Sequence, residues 1–153
     1  MIGRSTTWLV CERTGRWAAA LRQAIDRRAQ KSARTTPQLV RETRNLAGLN
    51  AAMSERPVTL NLVEVRTEDY AAVLDLLSSD NSRHFPIVAL LEDNLPPDAL
   101  REAGALAVID SPRRISWALE LANQISSTQP PQYAIERVSI ADWAWAALPW
   151  QDA

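Results

Sequence analysis

Several residue types are scarce in this chain, and each scarcity excludes a class of protein. The 153 residues include one cysteine, Cys11, so an intramolecular disulfide and a cysteine-rich metal site are both excluded. The only histidine, His84, precedes a predicted strand, so a Cys-His nucleophile pair would require opposite ends of two strands to meet. We therefore expect Cys11 to be a buried structural residue of a cytoplasmic protein.

Neither sign of charge is in large excess, and long apolar runs are missing. The chain has 17 basic and 18 acidic residues, a formal net charge of −1, so it offers no broad positive field for nucleic-acid phosphates or anionic lipid. No apolar run approaches the roughly 20 residues of a membrane span. Nucleic acid and membrane are therefore not expected as partners.

Sequence motifs of the common enzymes are also missing. The chain contains no phosphate-binding Walker loop, no Gly-x-Ser-x-Gly elbow and no metal-binding His-Glu-x-x-His. We expect no catalytic activity, no cofactor and no metal.

Alternating apolar and amphipathic segments indicate one α/β domain over residues 1–127. Apolar residues make up 46% of the chain and charged residues 23%, the usage of an ordinary folded protein. The predicted strands are Trp8–Cys11, Gln38–Glu42, Val58–Val65, Phe85–Leu91 and Ala105–Ile109. Helical spacing follows each strand, with Thr14, Thr67 and Pro112 as expected helix starts and Gly104 as a left-handed helix end. This order predicts a parallel sheet covered on both sides, flavodoxin-like, with strand order 2-1-3-4-5.

The region from Pro86 to Ala122 resembles the second half of a bacterial response-regulator receiver domain. The shared features are an apolar strand, a short helix ending in Ala103-Gly104-Ala105, a further strand, and Ser111-Pro112 before the last helix. The resemblance extends over about residues 7 to 127. It implies a signalling domain with its functional residues after the ends of the strands.

The resemblance also implies which side chains a receiver needs, and this chain departs from them. A receiver has paired acids after its first strand to hold magnesium, an Asp phosphoacceptor ending the third, a Thr or Ser ending the fourth and a Lys ending the fifth. Here the acid pair falls on Cys11-Glu12 or Glu12-Arg13, the acceptor on Val63 or Glu64, the hydroxyl on Leu91 and the Lys on Ser111. We expect a pseudo-receiver that is not phosphorylated by the usual mechanism, in which Glu64 either replaces a charged acceptor or is an ordinary strand-end residue.

Two further surfaces are candidates for binding. Thr14, Gly15 and Arg16 at a helix start would suit an anion or nucleotide, the alternative to a protein-binding role. Residues 128–153 form a Pro-containing linker and a tail with Trp143, Trp145 and Trp150, three of the six tryptophans. Large aromatic side chains are costly to leave in water. We expect this tail to dock on Trp117 and Leu121 of the last helix, or to bind a protein partner or a second copy of the chain.

Overall fold

Five strands alternate with five α-helices in the part of the chain that the structure describes. The structure is a computed structural model, and it describes residues 6–34, 37–55, 59–79 and 86–127. The strands are β1 (Thr6–Cys11), β2 (Gln38–Thr43), β3 (Thr59–Val65), β4 (Ile87–Leu91) and β5 (Ala107–Ile109). The helices are α1 (Arg16–Lys31), α2 (Leu46–Glu55), α3 (Tyr70–Ser78), α4 (Pro97–Ala103) and α5 (Ile115–Ser127). Each predicted strand and helix is therefore present, with small shifts at the ends.

All neighbouring strands are parallel, in the order β2-β1-β3-β4-β5. β2 lies on one side of β1, and β3 lies on the other side, so β1 is inside the sheet and β2 is at its edge. Parallel neighbours need a crossover, and here each crossover carries a helix. The predicted flavodoxin-like order 2-1-3-4-5 is confirmed.

Two apolar clusters lie on opposite faces of the sheet. Successive side chains of a strand point to opposite faces, so Trp8 and Val10 of β1 join one cluster while Leu9 and Cys11 join the other. The first cluster includes buried residues of α1 and α5, and the second includes buried residues of α2, α3 and α4. The two faces together bury most of β1, β3 and β4, as strands with near-continuous apolar sequence require, whereas β2 has no fully buried residue.

Gly104 ends α4 in a conformation that other residues rarely adopt. Its φ is 123°, and a Cβ atom there would lie 3.0 Å from the carbonyl oxygen of Leu77. The predicted role of this glycine in ending the helix is confirmed, and the close approach of α3 supplies a second reason for it.

Two helices begin differently from the sequence prediction. Thr14 was expected to cap α1, but the N-cap residue is Gly15, at φ 83°, and Thr14 makes only a 3.4 Å hydrogen bond with the Arg16 N–H. Thr67 was expected to cap the third helix, but it lies inside a 3-10 turn, Thr67–Asp69, whose N-cap residue is Arg66. Thr14 does not cap α1 because the Glu12 carboxylate accepts the Trp17 and Ala18 N–H groups of the first helical turn. Thr67 does not cap the third helix because its N–H and its hydroxyl both donate to the Asp93 carboxylate, at 2.9 Å and 3.0 Å.

Leu121 does not lie on an exposed strip of α5 as predicted. Its exposed fraction is 2%, and it belongs to the same core cluster as Leu21 of α1. The prediction failed because α5 packs against both the sheet and α1, which buries a wider strip than a single contact would. Trp117 is 37% exposed, and the tail with Trp143, Trp145 and Trp150 lies outside the described residues.

Within the described ranges, none of the helices is long and apolar enough to cross a membrane.

Candidate functional site

A carboxylate lies at or directly after the carboxyl end of every strand. These residues are Glu12 after β1, Glu42 near the end of β2, Glu64 near the end of β3, Glu92 after β4 and Asp110 after β5. Because the strands are parallel, all five carboxylates lie where the carboxyl ends of the strands meet, which we call the carboxyl edge of the sheet. Doubly wound sheets bind their ligands at this edge.

Glu12 is buried and caps α1. Its exposed fraction is 2%, and its two carboxylate oxygens accept hydrogen bonds from the backbone N–H groups of Trp17 at 2.8 Å and Ala18 at 2.7 Å. A negative charge at this position also complements the helix dipole. The left-handed turn at Gly15 separates Glu12 from the helix that it caps. The chain's own carboxylate thus takes the position that an anion bound at Thr14, Gly15 and Arg16 would need.

Arg13 and Glu64 connect the end of β1 to the end of β3. The backbone N–H of Arg13 donates to Glu64 at 3.3 Å, and the Arg13 guanidinium pairs with Glu68 at 2.8 Å and Asp69 at 3.0 Å. The side chain of Glu64 is 2% exposed and forms an ion pair with Arg66. The hydrogen bond from the Arg66 guanidinium to Glu64 raises the pKa of Arg66 above its usual value, so Arg66 stays charged. Glu64, one of the two predicted acceptor positions, is therefore surrounded by partners from its own chain.

Glu92 connects the end of β4 to the start of α1. Its carboxylate accepts hydrogen bonds from the Arg16 guanidinium at 2.6 Å and from the indole N–H of Trp17. The Arg16 guanidinium also lies 5.9 Å from the centre of the Trp17 ring, within cation-π range. Sequence reasoning missed Glu92, although an acid directly after the most apolar strand was a visible signal.

The remaining positions predicted from the receiver resemblance face the core or bond locally. Val63 and Cys11 are buried in the cluster beside α2, α3 and α4, and Leu91 packs against that cluster. Burial raises the pKa of the Cys11 thiol, so the thiolate that a nucleophile requires is disfavoured. The hydroxyl of Ser111 accepts a hydrogen bond from the Arg113 N–H at 3.3 Å and caps the 3-10 turn Pro112–Arg114.

A polar cleft opens between the ends of β1, β2 and β3. Its volume is about 240 Å³, and it is lined by Cys11, Glu12, Arg13, Arg44, Asn45, Leu46, Glu64 and Asp69. Arg44 donates to the backbone carbonyl oxygens of Arg13 at 3.2 Å and Glu12 at 3.4 Å. In the described part of the chain, no three His, Cys, Asp or Glu side chains are grouped so that they could hold a metal ion.

Comparisons with protein-family models, with curated proteins and with solved structures found no match to this chain.

Proposed function

We propose that this chain is a non-catalytic signalling or adaptor module, a degenerate receiver that acts by binding a protein partner or a second copy of itself. One observation supports it above the others. The carboxylates at the ends of the three central strands, Glu12, Glu64 and Glu92, all bond to groups of the same chain. The edge of the sheet where a receiver performs its chemistry is thus held together by internal hydrogen bonds and ion pairs.

Magnesium binding at this edge would require these bonds to break. Magnesium demands near-octahedral oxygen ligands and tolerates little distortion. If Glu12 turned toward a metal, the N–H groups of Trp17 and Ala18 would lose their acceptor, at a cost of about 1–3 kcal/mol for each buried group. Arg13 in place of a second acid adds a positive charge beside the site. Both effects oppose a divalent cation.

Phosphoryl transfer is opposed by the same groups. Glu64 has a longer side chain than the Asp of a receiver, and its oxygens bond to Arg66 and to the Arg13 N–H. Ser111 supplies no ammonium group to contact phosphoryl oxygens, and Leu91 supplies no hydroxyl. In this proposal, the ion-paired Glu64 keeps the end of β3 in one fixed arrangement.

The alternative to a protein-binding role is a site for a small anionic ligand or nucleotide. The observation that favours this alternative is the cleft beside Arg13 and Arg44. The same cleft is lined by the carboxylates of Glu12, Glu64 and Asp69, which repel an anion. Titration with inorganic phosphate or flavin mononucleotide, followed by thermal unfolding, tests this alternative. A saturable rise in melting temperature that is lost in Arg44→Ala would favour it over a protein-binding role.

Incubation of the full chain with magnesium and acetyl phosphate tests the proposed function. Intact-mass spectrometry should find no phosphoryl adduct, while an ordinary receiver treated in parallel becomes phosphorylated. A stoichiometric adduct that disappears in Glu64→Gln would contradict the proposal.

A binding measurement tests whether Glu64 keeps the domain in its binding-competent arrangement. In that case Glu64→Gln should weaken partner binding or self-association, and unchanged binding would rule out that role.

A further inference from the structure

The outer side of β2 carries backbone groups with no bond in the described part of the chain. β2 lies at the edge of the sheet and pairs only with β1. The carbonyl oxygen of Thr43 accepts a hydrogen bond from the Glu12 N–H at 3.1 Å, so Thr43 directs its backbone toward β1. Backbone direction alternates along a strand. The N–H and C=O groups of Gln38, Val40 and Glu42 therefore point away from the sheet.

This edge carries one protective feature of exposed strands, the charges of Arg41 and Glu42, which are ion-paired with Glu55 and Arg22, but it lacks others. All six residues of β2 stay in unbroken register with β1, so no bulge twists the edge away. Proline precedes the strand but does not occur within it. Leu39, at the edge, is 51% exposed, more than Trp117. A regular edge with an exposed leucine is a template for another strand.

We propose that a second copy of this chain pairs with β2 through its own β2, antiparallel and with the two-fold axis at Val40. In that arrangement Val40 lies opposite Val40 of the second copy, and Gln38 lies opposite Glu42 of the second copy. All of these residues have outward backbone groups, and each such pair exchanges two hydrogen bonds, giving about six across the interface. Leu39 then lies beside Arg41 of the second copy, whose alkyl stem covers it.

The charges of β2 select this register over its neighbours. A shift of the axis to Arg41 would place two arginines directly opposite each other, which is destabilising. A shift to Leu39 would leave Glu42 beyond the paired segment and reduce the three hydrogen-bonded pairs to two, in which Gln38 lies opposite Val40. With the axis at Val40, the Glu42 carboxylate faces the amide of Gln38 and no like charges meet. The pairing joins the sheets of the two copies, each with five strands in the described residues, into one continuous sheet.

This inference rests on the proposed function, because it names the partner of a module that acts by binding. The contact is one strand wide, so we expect a concentration-dependent dimer rather than a permanent one. Different results would overturn the β2 pairing and the non-catalytic role. A chain that stays monomeric at all concentrations would overturn the β2 pairing and leave the non-catalytic role intact, whereas phosphorylation would contradict that role alone.

Sedimentation equilibrium of the full chain and three variants tests the pairing. Leu39→Lys should raise the dimer Kd about tenfold or more, because the change enters a two-fold interface twice. Val40→Pro removes one outward N–H and leaves every bond to β1 in place, so it should also weaken the dimer. Ala72→Lys adds the same charge on an exposed position of α3 and should have no effect. A dimer that survives Leu39→Lys unchanged would overturn the pairing.

Amide hydrogen exchange of the unaltered chain gives a test that does not depend on a variant folding. The amides of Gln38, Val40 and Glu42 should be protected at high protein concentration and should exchange faster on dilution. Those of Leu39 and Arg41, which bond to β1, should stay protected at both concentrations. Outward amides that exchange equally fast at all concentrations would overturn the inference, and so would protection that does not change with dilution.

Discussion

Removal of the Glu12 carboxylate should destabilise the protein strongly, although the residue lies in a loop. Glu12→Ala leaves the N–H groups of Trp17 and Ala18 at the start of α1 without their acceptor. The two hydrogen bonds to a charged group contribute about 1.5–3 kcal/mol each, whereas loss of a side-chain cap as a whole costs about 0.5–2 kcal/mol. We therefore expect a cost of about 3 kcal/mol, between these two figures. For a chain of this size, that lowers the melting temperature by about 6 to 12 °C.

Urea and thermal unfolding followed by circular dichroism measure this effect. Glu12→Gln keeps one acceptor oxygen but turns an amide NH₂ toward a backbone donor, so its cost should be intermediate, about 1–2 kcal/mol. Thr14→Ala is the matched control from the same loop, because Thr14 is exposed and makes only a 3.4 Å bond. If Glu12→Ala were no more destabilising than Thr14→Ala, the capping role of Glu12 would be refuted.

Three further predictions concern single side chains. Hydrogen bonds from Thr67 lower the pKa of Asp93 below its ordinary value of 3.8, so Asp93 stabilises the fold above about pH 4 and stabilises it less as the pH falls through the lowered pKa. Asp93→Asn should therefore reduce the free energy of unfolding more at pH 7 than at pH 3, and an equal reduction at both pH values would contradict this. Cys11 should react with Ellman's reagent only after unfolding, and rapid reaction in the folded state would show that it is not buried. Leu121→Ala should cost about 2–5 kcal/mol, more than Trp117→Ala, and the reverse order in urea unfolding would place Leu121 outside the core.

The architecture followed from periodicity and punctuation in the sequence. Short apolar segments separated by helical spacing predicted four of the strands, and the break at Thr36-Pro37 marked the less apolar β2. Parallel connections then left few possible strand orders. Gly104 and Pro112 marked helix boundaries because their backbone preferences are local properties. Such signals require no knowledge of distant residues.

The candidate site was harder to predict from the sequence, because its hydrogen bonds and ion pairs join residues that are far apart along the chain. Arg16 and Glu92 are 76 positions apart, and nothing in either local sequence indicates the pairing. The capping role of Glu12 depends on the turn at Gly15, which places the carboxylate beneath the helix. Leu121 was misplaced because its burial depends on α1, whose position relative to α5 is a property of the folded protein.

We propose that the carboxylates at the carboxyl edge of the sheet stay bonded to their own chain and do not accept magnesium or a phosphoryl group. Titration of the ¹⁵N-labelled full chain with magnesium and beryllofluoride, a phosphoryl mimic, tests it most directly. We expect that the amide signals of Glu12, Glu64 and Glu92 do not move. A saturable, magnesium-dependent shift of these signals would contradict it.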